Sequence, residues 1–336
     1  MDRIFVAGAT GALGRPLVRR LAETGADVVG LTRFRSRTSL IRALGAKPVV
    51  ADALDGDALS SVLVDAHPDA VVHALTAVPR RGPLRRRDLA ATNRLRRAGT
   101  ANLLAAARQA GTRRFVAESM IFVYGFGDQG DELNTEDRRL DSVDAKPGLA
   151  EAVEAVRDLE AQVRSATTRG EIDGVILRFG FFYGPGAGSE LMARLLRRRM
   201  LPVAGAGEGL GSWVHIDDAA AATAAALTQG RSGEIYNVVD DETVRYREFA
   251  DTFARLVGAP EPYRIPVWLA RLIAPMAVAV LGARIPISNA KAKRELGWSP
   301  RFPTYREGIE DVVKHLSRPG ERAVDASRDA GGGARA

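Results

Sequence analysis

Three features of this 336-residue sequence predict a doubly wound parallel α/β sheet with a smaller C-terminal lobe. The first half alternates short apolar runs with helix-length windows. A glycine-rich turn follows the first apolar run at once. Past Arg178 that rhythm breaks, and glycine and proline become dense. Apolar strands separated by helices imply a parallel sheet covered on both faces, and right-handed crossovers wind it in both directions.

In order, the spacing predicts strands over 3–7, 27–32, 48–51, 70–74, 114–118 and 174–178. Between them it predicts helices over 12–24, 37–44, 55–66, 88–110 and 147–168. One more strand is expected over 234–239, with helices over 246–257 and 267–283. The expected division is 1–178 for the sheet domain and 179–316 for the second, substrate-binding lobe. The chain crosses back toward the sheet near 212–240, and 317–336, with Gly331, Gly332 and Gly333, reads as a disordered tail. Segment 267–281 is the most apolar. It is shorter than the roughly 20 residues of a membrane span and carries Arg271 and Pro275. It is read as a buried or pocket-covering helix.

Composition narrows the function. With 46% apolar and 26% charged residues, the chain is globular rather than disordered or fibrous. The absence of cysteine removes disulfides, thiolate metal sites and cysteine nucleophiles. His67, His73, His215 and His315 lack ligand-like spacing, so no metal site is expected. The first strand starts within three residues of Met1, which predicts no leader peptide and a cytoplasmic location.

The net charge of +7 comes from 43 arginines and 5 lysines set against 41 acids. Arg80, Arg81, Arg85, Arg86, Arg87, Arg94, Arg96 and Arg97 form one cluster, and Arg194, Arg197, Arg198 and Arg199 another. These read as solvated helix faces or as an attraction for an anionic ligand. They hold no interleaved aromatics, and only 6% of the chain is aromatic, so nucleic acid is not an expected partner. A carrier protein that presents the substrate has no support beyond these clusters.

The turn Gly8-Ala9-Thr10-Gly11-Ala12-Leu13-Gly14 follows a strand and opens a helix. In that context its glycines permit a tight turn, close approach of backbone to a pyrophosphate, and packing of helix on strand. A dinucleotide is therefore the expected cofactor, on a Rossmann-type sheet. The second strand ends in Leu31-Thr32-Arg33, with Arg37 close behind and no acid. Guanidinium groups suit a 2′-phosphate, which favours NADPH over NADH. Asp52 is placed either to meet the adenine edge or to cap the next helix.

At this point the chain resembles the extended short-chain dehydrogenase/reductases, the epimerase/dehydratase group. The resemblance runs over most of the sequence. It is carried by the Gly8–Gly14 turn, Asp52, His73-Ala74-Leu75-Thr76, Asn93 and Val123-Tyr124-Gly125. Further on it rests on Leu177-Arg178, Tyr183-Gly184-Pro185-Gly186, Val214-His215-Ile216-Asp217-Asp218, Asn289 and Leu296-Gly297-Trp298. It implies NAD(P) binding with the substrate between two lobes. It also implies that Ala53, Leu75, Thr76, Asn93, Phe179 and Phe181 join the cofactor site.

The chain departs from the family where chemistry is concerned. The family's acid is a tyrosine followed four residues later by lysine, and none of the six tyrosines here has that partner. Registering the helix on Glu160 puts Ala152 and Val156 at those places, and Met120 at the usual Ser/Thr. Ser119 and Tyr124 remain as candidate catalytic residues. Stretch 205–212 lacks the arginine that grips a nucleotide sugar in the family. Phe179, Phe181, Phe182 and Trp213 suit a flat apolar substrate instead. The combination resembles an atypical branch of the family that reduces angucyclinone-like aromatic polyketides. The expected function is reduction of a hydrophobic aromatic ketone, with the proton drawn from a neighbouring substrate phenol. The alternatives are a nucleotide-sugar epimerase or dehydratase, and a non-catalytic NADP(H)-binding sensor or assembly protein.

Overall fold

The apolar runs become strands because each is flanked by elements that bury both of its faces. A computed structural model describes residues 1–79, 82–140 and 149–317. Its strands are β1 (Arg3–Ala7), β2 (Asp27–Thr32), β3 (Lys47–Val50), β4 (Ala70–His73), β5 (Arg114–Met120) and β6 (Asp173–Phe179). The C-terminal half adds β7 (Phe181–Tyr183), β8 (Val203–Ala204), β9 (Leu210–His215), β10 (Ile235–Val238), β11 (Thr243–Arg245) and β12 (Arg264–Ile265). Helices α1 (Gly14–Glu23), α2 (Thr38–Ala43), α3 (Gly56–Ala66), α4 (Ala90–Arg94), α5 (Thr100–Gln109) and α6 (Ala150–Thr168) connect the first strands. Later come α7 (Ser189–Arg197), α8 (Ile216–Gln229), α9 (Tyr246–Leu256), α10 (Val267–Ile273), α11 (Pro275–Leu281), α12 (Ala290–Leu296) and α13 (Tyr305–Ser317).

Seven strands form one parallel sheet in the order β10-β6-β5-β4-β1-β2-β3. Strand order reverses between β1 and β4, which opens a crevice at the carboxyl ends of these strands. Strand side chains alternate, so each face builds its own core. Ile4, Val6, Val72, Val116 and Leu177 pack with α1 and α8 on one side. Phe5, Ala7, Val71, Phe115 and Ala117 pack with α3, α5 and α6 on the other. A second core around Trp213, Phe249, Tyr305 and Ile309 holds the C-terminal lobe. That lobe also contains a three-stranded sheet, β11-β9-β7, and a two-stranded one, β12-β8.

The structure changes several sequence expectations. The helix expected over 88–110 is divided by a π-helical turn, Leu95–Gly99, between α4 and α5. The helix expected over 267–283 breaks at Ala274 (φ −140°, ψ 64°) because Pro275 starts a new helix rather than continuing the old one. That segment is not uniformly buried either. Ala270 and Met276 face inward, while Trp268 is 66% and Leu272 73% exposed. The tail over 318–336, Arg80, Arg81 and Lys146 lie outside the described residues. No described helix is long and apolar enough to cross a membrane.

Candidate functional site

The glycine turn sits at the carboxyl end of β1, where Gly8 adopts φ +100°. A Cβ there would fall 2.1 Å from the Ala74 carbonyl oxygen. On Gly14 it would fall 2.1 Å from the Gly8 oxygen. At Gly11 an added Cβ would meet only the Gly8 oxygen, at 3.1 Å, so this position is the least crowded of the three. Gly11 N donates to Gly8 O at 2.9 Å, which closes the turn. Thr10, Gly11 and Ala12 are partly exposed on it, and Leu13 is buried beneath. α1 has no acid in its first turn, so its amino end favours an anion. These residues fit a dinucleotide's pyrophosphate.

The other expected cofactor residues divide. Arg33 and Arg37 are exposed just past β2, and their guanidinium carbons lie 4.7 and 5.4 Å from the Phe34 ring centre. Asp52 is exposed and accepts from Leu54 N at 3.0 Å, an Asx turn before α3. It does not cap that helix. Asp55 does, accepting from Ala58 N. Ala53 is buried, and its carbonyl takes a bond from Asn102. Leu75 and Thr76 line the loop past β4, Thr76 exposed. Asn93 is buried on α4 with Oδ1 unpartnered. Phe179 is wholly buried, its ring 5.3 Å from Phe182. Phe181 is partly exposed between Phe122 (5.7 Å) and Trp213 (5.2 Å).

Ser119 and Tyr124 are brought together, but in a buried network. Ser119 Oγ donates to Glu160 Oε1 at 2.6 Å. Arg178 makes a bidentate pair with Glu160, Nε to Oε1 at 2.9 Å and Nη2 to Oε2 at 2.7 Å. Its Nη1 donates to the Tyr124 hydroxyl at 2.9 Å. That hydroxyl donates in turn to Asn237 Oδ1 at 2.9 Å. Burial pushes the Tyr124 hydroxyl above the ordinary tyrosine value, against the opposing pull of Arg178. Every member is engaged, which ties β5, β6, β10 and α6 together. Ala152 and Val156, at the places registered for tyrosine and lysine, are buried among Leu89, Ile121 and Val123.

Other motif residues are structural staples. Asp218 accepts from Arg301 N and Phe302 N at 2.8 and 3.0 Å. His215 Nδ1 accepts from Asp217 N and caps α8, and burial pushes the ring down to about 4, so it is neutral. Asn289 Nδ2 donates to Val239 O at 2.8 Å. Trp213 stacks on Phe249 at 3.9 Å, leaving beside it an enclosed crevice of about 10 Å³. That space holds no more than one water, so it is not a substrate pocket. Among the described residues no His/Cys/Asp/Glu group has the arrangement of a metal site.

Two buried polar groups near the crevice of the main sheet escape the sequence reading. Glu118 is 9% exposed on β5, and Arg96 is 6% exposed on the π turn with Nη1 unpartnered. The signal for Glu118 is an acid inside an otherwise apolar run.

Comparison with known proteins agrees with this architecture. The model of the NAD dependent epimerase/dehydratase family matches residues 4–239. A Streptomyces protein named 3-diazoavenalumate denitrifying reductase is 39% identical, over 91% of this chain and 99% of its own. A ketoreductase of a farnesylated dihydroquinoline oxide from Stigmatella aurantiaca is 27% identical, over 96% and 98%. Among solved structures, the Thermotoga maritima UDP-glucose 4-epimerase superposes with TM-score 0.77 at 20% identity, covering 96% of this chain and 99% of that one.

Proposed function

The chain belongs to the NAD dependent epimerase/dehydratase family, and from that footing we propose that it is an NAD(P)H-dependent reductase of a hydrophobic aromatic ketone. The observation that carries this reading is a glycine turn that fits a dinucleotide, supported by apolar residues where the register on Glu160 sets the family's tyrosine and lysine. Ala152 and Val156 fill the places of the missing pair, and Ser119 and Tyr124 are held in the Glu160–Arg178 network. When bound, the reduced nicotinamide supplies hydride. The chain's part is to hold acceptor and cofactor in line, a contribution of ~7–11 kcal/mol, against roughly 10²–10⁴-fold from a general acid. A reductase can therefore lose the tyrosine and still work.

A ketone flanked by a phenol brings a proton already bonded to its carbonyl oxygen. An angucyclinone-like polyketide has that character. The partly exposed Phe181 beside Phe122 and Trp213 supplies flat apolar surface for such a ring system. A second acceptor is favoured by the 39% identity to the denitrifying reductase. An aryl diazonium group takes hydride at its outer nitrogen and then loses dinitrogen, leaving hydrogen on the ring. That sequence needs no proton donor.

The test is NADPH oxidation with 1-tetralone, 8-hydroxy-1-tetralone, a benzenediazonium salt and UDP-glucose. Oxidation is expected with the aromatic acceptors, at least tenfold faster for the hydroxylated ketone than for its parent. Conversion of UDP-glucose to another sugar nucleotide with NAD⁺ added, a redox-neutral reaction read from its product rather than from NADPH, would establish the sugar reading instead. Tight NADPH binding with no oxidation by any acceptor would establish a sensor.

Arg33 and Arg37 support NADPH as the preferred form. The R33A/R37A double variant is expected to bind NADPH roughly 10²–10⁴-fold more weakly, since each of the two charge-assisted bonds contributes about 1.5–3 kcal/mol. NADH affinity is expected to change less than twofold. Calorimetry with both cofactors checks this, and equal losses for the two would remove the 2′-phosphate assignment.

A further inference from the structure

Arg15 stands where its own helix gives no reason for a cation. It is the second residue of α1, whose amino end carries no acid and favours negative charge. Its side chain is half-buried, whereas Arg19 and Arg20, one turn on, are exposed. The guanidinium turns toward two backbone carbonyls instead of toward solvent. Nε donates to Gly11 O at 3.3 Å, and Nη2 donates to Gly186 O at 3.1 Å. Gly11 belongs to the glycine turn after β1. Gly186 lies 171 residues beyond Arg15, in the C-terminal lobe. One planar group therefore spans from turn to lobe, and the two backbones are a single side chain apart.

The loop that meets Arg15 is fixed from within. β6 ends at the carboxyl edge of the main sheet, the edge on which the glycine turn also lies. β7 leads from there into Gly184-Pro185-Gly186-Ala187-Gly188. Gly184 N donates to Ser189 Oγ at 2.9 Å and Gly186 N to Glu190 Oε1 at 2.6 Å, so the first turn of α7 holds the loop. Ala187 N donates to Gly184 O at 3.1 Å. Ala187 of the loop and Ala12 of the turn pack against the same core. Gly186 has φ +74°, and a Cβ there would land on Arg15 Nη2. The contact thus needs a bare residue on its loop side. The backbone that a pyrophosphate approaches at Gly11 is bordered by this loop and by the Arg15 cation.

We propose that Arg15 is a clasp for the dinucleotide, a positioning residue that ties the loop at Gly186 to the turn at Gly11, and that this bond must open before the cofactor is released. The proposal rests on the dinucleotide part of the reductase reading and not on which acceptor takes the hydride. A cation at the amino end of α1 is unfavourable by itself, and the charge of a pyrophosphate offsets that cost. Clasp and cofactor therefore strengthen one another, a coupling that is reciprocal. The pyrophosphate is common to NADPH and NADH, so Arg15 acts on both alike, in contrast to Arg33 and Arg37.

Stopped-flow release of the reduced cofactor, read from its fluorescence, tests the clasp. R15M is expected to release NADPH about 10–100-fold faster than wild type, because a hydrogen bond from a charged group is lost. NADH is expected to leave faster by the same factor. G186A reaches the contact from its other side. Its methyl group displaces the guanidinium while the charge stays, and a similar acceleration is expected. R15M/G186A is expected to be no faster than R15M alone, since both changes remove one bond. In wild type, hydrogen exchange at the amides of Gly184, Gly186 and Ala187 is expected to slow about tenfold when NADPH is saturating, a readout that needs no variant. Release at the wild-type rate from R15M or G186A, with or without a lowered melting temperature, would overturn the proposal and leave Arg15 a structural staple. Additive effects in the double variant would overturn it too, as would exchange at the three amides that ignores NADPH. Each of these leaves the dinucleotide reading standing, whereas a wild-type protein that binds neither NADPH nor NADH would overturn both.

Discussion

Glu160→Ala is expected to lower the free energy of unfolding by about 3–5 kcal/mol, a large share of the 5–15 kcal/mol typical of folded chains. Glu160 and Arg178 leave only 5% and 3% of their side chains accessible. Their bidentate contact satisfies both charges. Burial works against the Arg178 charge, yet the hydrogen bonds and field of Glu160 outweigh it and raise arginine's affinity for its proton. Alanine would strand that guanidinium in the core and orphan the Ser119 hydroxyl as well. Urea unfolding of the variant checks the figure. The paired change E160M/R178M is expected to cost less than E160A alone, because no charge is then left buried. A loss below about 1 kcal/mol in E160A would mean that the network is not what joins α6 to the sheet. The same network holds the Ser119 and Tyr124 hydroxyls in bonds that join β5, β6 and β10 to α6.

The main sheet was legible because its strands are apolar on both faces and separated by long helices. Expectation and structure differ by at most two residues at either end for β1 to β6. Past β6 the chain was legible only in part: the strand expected over 234–239 and the helix expected over 246–257 match β10 and α9, and the shorter elements were missed. β8 and β12 have two residues each and β7 and β11 three, too short to show a period of two. α8 escaped because its alanine run, 219–222 and 224–226, has little amphipathic contrast. Composition alone misread 267–281, since an apolar helix facing solvent and one facing a core look the same in one sequence. Pro275 carried the information that the helix stops there. Arg96 was hidden among its neighbours. Asn93, Arg96 and Thr100 recur at three- and four-residue spacing, which places them on one buried face, whereas Arg85, Arg86, Arg87 and Arg94 are exposed.

Gly11→Val is expected to weaken NADPH binding more than about 100-fold while leaving the unfolding midpoint within a few degrees of wild type. The three glycines of the turn separate folding from binding. Side chains at Gly8 or Gly14 would collide with backbone at 2.1 Å, so G8V and G14V are expected to lose the fold along with the ligand. At Gly11 an added Cβ meets only the Gly8 oxygen, at 3.1 Å, a contact that a shift of a few tenths of an ångström relieves, and its φ is not left-handed, so a side chain there strains the turn far less than at Gly8 or Gly14. The space that side chain would take is the approach of a pyrophosphate to the backbone. Binding to the native state alone stabilises by about 2.7 kcal/mol when ligand is at 100 times its Kd. NADPH should therefore raise the melting temperature of wild type clearly and that of G11V hardly at all. Calorimetry beside thermal melts distinguishes the cases. A G11V protein that melts normally and still binds NADPH normally would place the dinucleotide elsewhere. Loss of binding with the melt intact puts the cofactor at the glycine turn that follows β1, where a side chain costs the ligand rather than the fold.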